Sequence, residues 1–69
     1  MKPGDLIYFR TVWHVFDTTI DNVGNSQVLD DVNPGELCLI IYTFNEEVCV
    51  LTPRMIAGWT DTLGAYILK

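Results

Sequence analysis

The sequence predicts an all-β protein, a small five-stranded barrel. Apolar residues come in short runs, such as Leu6–Phe9 and Leu37–Tyr42, rather than at helical spacing. Turn-forming pairs such as Pro3-Gly4 and Pro34-Gly35 punctuate those runs, and no amphipathic helix intervenes. At 69 residues the chain has room for one core, so residues 1–69 are read as a single domain.

Each element has a local reason. Met1-Lys2-Pro3-Gly4-Asp5 reads as a turn, because Pro fixes one backbone angle and Gly permits a positive one beside it. Leu6-Ile7-Tyr8-Phe9 follows as the first strand. After Arg10-Thr11, residues 12–16 continue β-like, either as the same strand bent or as a second piece. Residues 17–35 form a long polar first loop rich in Asp and Asn. A connection that long usually carries a local fold or a task, and a small hairpin about Gly24-Asn25-Ser26 is the simplest version. Asn33-Pro34-Gly35 is a turn leading into the central hairpin. Beyond that hairpin, Pro53-Arg54 breaks the ladder and Met55–Trp59 is a fourth strand. Gly58 within it signals a bulge or a close backbone approach. Thr60–Gly64 reads as one short helical turn, with Thr60 as its cap and Gly64 as its end. Ala65–Leu68 closes the sheet.

The central hairpin, Glu36 to Thr52, organises the rest. Leu37–Tyr42 and Val48–Leu51 are strands rich in β-branched and aromatic residues. With Asn45-Glu46 at the tip, Thr43 faces Val48, Tyr42 faces Cys49, Ile41 faces Val50 and Ile40 faces Leu51. Period-two alternation then puts Leu37, Leu39, Ile41, Val48 and Val50 on one face. Cys38, Ile40, Tyr42, Phe44, Cys49 and Leu51 share the other. Both faces are apolar, whereas a hairpin covered on one side alternates apolar with polar. Either a bent strand buries parts of both faces in a small barrel, or the second face is an exposed patch for self-association or docking.

Composition narrows the function classes. Net charge is −5, with nine acidic residues against Lys2, Arg10, Arg54 and Lys69, which disfavours direct nucleic-acid binding. On the hairpin register, Cys38 and Cys49 lie too far apart to bridge, and they are read as reduced packing residues. Two cysteines and one histidine do not make a zinc site, so no metal is expected. His14 has no nucleophile or orienting carboxylate at local spacing, and no glycine-rich phosphate loop is present. No catalytic residue, cofactor or small-molecule substrate is therefore expected. No leader peptide opens the chain and no apolar run is long enough to span a membrane, which points to an intracellular protein.

Several pieces resemble the small SH3-like barrel proteins encoded by tailed bacteriophages, including those infecting cyanobacteria. The matching pieces are Lys2-Pro3-Gly4-Asp5-Leu6, Gly35 before Leu39-Ile40-Ile41, Val48-Cys49-Val50-Leu51, Ile56–Trp59, and Thr62-Leu63 before Ala65-Tyr66-Ile67-Leu68. Residues 11–34 lie outside the likeness, and the long first loop departs from the family pattern. The resemblance implies an SH3-like barrel and a non-enzymatic phage accessory or virion protein, located in the host cytoplasm or the virion. It supplies no functional residues. The acidic and aromatic first-loop motif that grips proline-rich peptides is absent.

The expected activity is thus protein–protein contact, with self-association or a protein partner. The interaction residues expected are Trp13, Cys38, Ile40, Tyr42, Phe44, Asp30 and Asp31. Trp13 beside the polar loop suits an anchor as well as rim packing. The acidic pairs Asp30-Asp31 and Glu46-Glu47 suit a solvated edge as well as steering toward a basic surface. A virion or assembly component is the leading role. A regulator that binds a host protein, with or without nucleic-acid mimicry, is the alternative.

Overall fold

The computed structural model describes residues 1–19 and 27–69. Among these residues seven strands form one antiparallel sheet: β1 (Leu6–Phe9), β2 (Trp13–Phe16), β3 (Val28–Val32), β4 (Cys38–Phe44), β5 (Glu47–Leu51), β6 (Ala57–Asp61) and β7 (Ala65–Ile67). Their order across the sheet is β3-β2-β6-β5-β4-β1-β7. The sheet coils over one side, because buried residues of β1, β2, β3, β4 and β5 meet there in a single cluster: Ile7, Phe9, Val15, Val32, Cys38, Ile40, Val48 and Val50.

This architecture corrects the expected five-stranded SH3-like barrel. β3 and β7 remain unpaired edges, so the sheet is open rather than closed. Residues 6–16 are two strands separated by Arg10–Val12. The expected long loop 17–35 contains β3, which pairs with β2 from Trp13↔Val32 to Phe16↔Val28. The hairpin tip expected about Gly24 lies outside the described residues. No helix occurs among the described residues, and none there is long and apolar enough to cross a membrane. Thr60 and Asp61 belong to β6, and Thr62–Gly64 is a turn. Thr60 is no helix cap, because its side-chain oxygen instead accepts the Trp13 indole N–H at 2.7 Å.

The two Pro-Gly turns form as their chemistry requires. Gly4 and Gly35 have φ of 96° and 82°, and each turn is closed by a backbone bond, Asp5 N–H to Lys2 and Glu36 N–H to Asn33. Pro followed by a positive-φ Gly is the signature of a type II turn. Gly58 is a close approach: a β-carbon there would sit 3.0 Å from Val15 Cβ. That tight contact lets β6 cross against β2.

Candidate interaction surface

The expected register of the hairpin holds from its tip to Tyr42 and then slips. Phe44↔Glu47, Thr43↔Val48 and Tyr42↔Cys49 pair as expected, but Ile40 pairs with Val50 and Leu39 with Leu51. Ile41 is the extra residue, a β-bulge. One inserted residue reverses which side the following side chains take. Cys38 and Ile40 therefore turn into the core, at 0% and 1% exposure, while Tyr42 and Phe44 face solvent at 64% and 50%. Asn45, with φ of 53°, makes the tip in the left-handed conformation that Asn tolerates.

Side chains directly opposite across a ladder share a face, so the registers define rows over the outer side of the sheet. One row runs Leu6–Leu39–Leu51–Ala57 across β1, β4, β5 and β6. A second runs Tyr42–Cys49–Trp59–Phe16 across β4, β5, β6 and β2. None of these eight residues is charged. The next row, Phe44–Glu47–Asp61, brings acids to one border of these rows, Glu47 buried and Asp61 half-buried. At the hairpin tip, an open depression of about 460 Å³ is lined by Met1, Thr43, Asn45, Glu46, Glu47, Val48 and Thr62. The sheet thus has a packed inner face and an apolar outer face with Leu6, Tyr42 and Ala57 exposed.

The other expected interaction residues are occupied within the fold. Trp13 is half-buried, stacked on Phe9 with ring centroids 5.0 Å apart, and it packs against the core cluster. Asp30 is held by Arg54, whose Nε donates to both carboxylate oxygens at 3.0 and 2.8 Å. The same guanidinium reaches Glu36 at 2.9 Å and donates to the Asp31 carbonyl at 2.8 Å. Burial pushes the Asp30 carboxyl up, but its bonds to Arg54, Thr52 and the Asp31 amide outweigh that and hold it below its ordinary range. Glu36 is lowered too, chiefly by Arg54, and the guanidinium is raised in turn. Asp31 lies 2.5 Å from His14 Nδ1. Asp30 and Asp31 thus sit together on β3, away from Tyr42 and Phe44 on β4.

Neither thiol presents a nucleophile. Cys38 and Cys49 are free and buried, and burial pushes the Cys38 thiol up to about 11. Among the described residues, no group of three or more His, Cys, Asp and Glu could hold a metal ion. Local sequence reading missed the rows themselves and Arg54. The rows need the strand order, which adjacent residues do not encode. Arg54 carried a signal, as one of only four cations in an acidic chain. No protein-family model, curated protein or solved structure matches the chain.

Proposed function

We propose that this protein is a non-enzymatic protein-binding module that associates with further copies of itself through the outer face of its sheet, as a subunit of an assembly. The carrying observation is the pair of uncharged cross-strand rows, Leu6–Leu39–Leu51–Ala57 and Tyr42–Cys49–Trp59–Phe16. Exposed apolar side chains such as Leu6 and Tyr42 are costly in water, and an apolar sheet face that presents them suits a contact surface. The face is symmetric in kind, apolar against apolar, so a second copy covers it without any added charge pair. Buried thiols and the bound state of Asp30 support binding rather than chemistry.

Sedimentation velocity over a concentration series tests this. The parent is expected to self-associate, and Tyr42→Glu is expected to weaken association about tenfold or more, the scale of losing a central aromatic anchor. Tyr42 is exposed, so the substitution leaves the core intact. A parent that sediments as a monomer at high concentration rejects the proposal.

A further inference from the structure

The two free edges of the sheet differ. β3 is sealed at Asp31, whose N–H donates to the Asp30 carboxylate at 2.9 Å and whose carbonyl accepts from Arg54. Its backbone groups there are taken by side chains, and its exposed residues include charge, two devices that blunt an edge against strand addition. β7 has neither device. Ala65-Tyr66-Ile67 contains no charge, proline or bulge, and among the described residues it pairs only with β1.

The phase of the β1–β7 ladder shows which groups are open. Leu68 N–H donates to the Leu6 carbonyl at 2.9 Å, so residues 66 and 68 bond toward β1. Ile67, opposite Ile7 between them, points its N–H and C=O away from the sheet. On the other side of β1, the Phe9 carbonyl accepts from Gly35 N–H, in the same alternation. Ile67 thus offers a donor and an acceptor in the geometry that an added strand requires.

Charge selects the occupant. Arg10 follows Phe9, the partner of Ala65, and lies over the Tyr66 ring at 4.4 Å, while Lys69 follows the other end of β7. Among the described residues neither enters an ion pair, whereas Arg54 is consumed by Asp30 and Glu36. The acids nearest this edge are engaged locally: Asp61, before the turn into β7, accepts the Leu63 N–H at 3.1 Å, and Asp5, before β1, accepts the Lys2 N–H at 3.1 Å. In a protein of net charge −5, the open edge is flanked by cations. Two copies paired antiparallel through Ile67 would set each Lys69 across from Ala65, beside the other copy's Arg10. Like charges then meet at both ends.

We infer that β7 is a docking edge for an extended acidic segment of another protein, which adds as an eighth strand through the Ile67 N–H and C=O, with its carboxylates on Arg10 and Lys69. This surface is distinct from the outer face proposed for self-association.

The probes are fluorescein-labelled peptides of alternating Val and Glu, and of alternating Val and Lys, followed by anisotropy. The acidic peptide is expected to bind, to weaken with added salt, and to lose about fivefold in affinity when Arg10 and Lys69 are both replaced by Ala, the scale of two exposed ion pairs. Ile67→Pro deletes the outward N–H without removing a ladder bond to β1, so it is expected to stay folded and lose the peptide. In the parent, the Ile67 amide is expected to gain protection from hydrogen exchange on peptide addition, a readout that needs no variant. Tyr42→Glu is expected to bind the peptide like the parent. Equal binding of both peptides, binding of neither, or unchanged binding by folded Ile67→Pro overturns the inference. A parent dimer that Ile67→Pro splits assigns the edge to a second copy and overturns it too.

Discussion

A β-carbon built on Gly64 would lie 2.7 Å from two atoms of the Trp13 ring. Gly64 is thus the floor under the tryptophan that stacks on Phe9 and bonds to Thr60. Its φ is ordinary, so the demand is for space rather than for a special backbone angle. Gly64→Ala is expected to cost about 1–3 kcal/mol through overpacking. It should lower the melting temperature and shift the tryptophan emission as the indole loses its Thr60 partner. An unchanged melting temperature would show that the ring moves aside freely. The sequence gives a glycine here a meaning, but not this one. Gly64 follows Thr60 at the spacing of a capped helical turn, and only the fold reveals that Trp13, far away in the chain, fills the space above it. At Gly58 the local reading offers a bulge or a close approach, and the fold shows the close approach, against Val15.

At the scale of elements, the Ile41 bulge decides what the central hairpin offers to solvent. Composition marked Leu37–Tyr42 and Val48–Leu51 as strands and placed the tip, since β-branched runs and a polar break act locally. It also showed two apolar faces. It did not show the bulge, because Leu39-Ile40-Ile41-Tyr42 is uniformly apolar and no polar residue marks the slip. Strand β3 is foreseen only as one arm of a small hairpin within a polar loop, for a different reason. Val28-Leu29-Asp30-Asp31-Val32 looks like loop because a carboxylate is costly in a sheet, and the cation that offsets it stands at Arg54. A labelling experiment tests the bulge. Tyr42→Cys is expected to react with a thiol reagent promptly under native conditions, while Cys38 on the same strand stays protected until unfolding. Protection of both would mean a regular strand with the two positions on one face.

For the whole molecule, the guanidinium of Arg54 ties β3, the β3–β4 turn and the β5–β6 turn together. Asp30 and Glu36 have ordinary pKa values of 3.8 and 4.5, and both are held lower in the fold. A depressed carboxyl stabilises the folded state above its unfolded pKa and loses that contribution as pH falls through its folded one. Thermal stability is therefore expected to fall as pH drops below about 4, and to fall less steeply in Arg54→Met, whose carboxyls have no such partner. Parallel slopes for the two proteins would remove the clamp from the acid response.

The same clamp has a consequence for growth. Polymerisation by strand addition needs two sticky rims, one to give and one to receive. With Asp31 already satisfied on β3 and like charges opposing a β7–β7 pair, the described edges give copies of this chain no matched pair of rims from which a ribbon could grow.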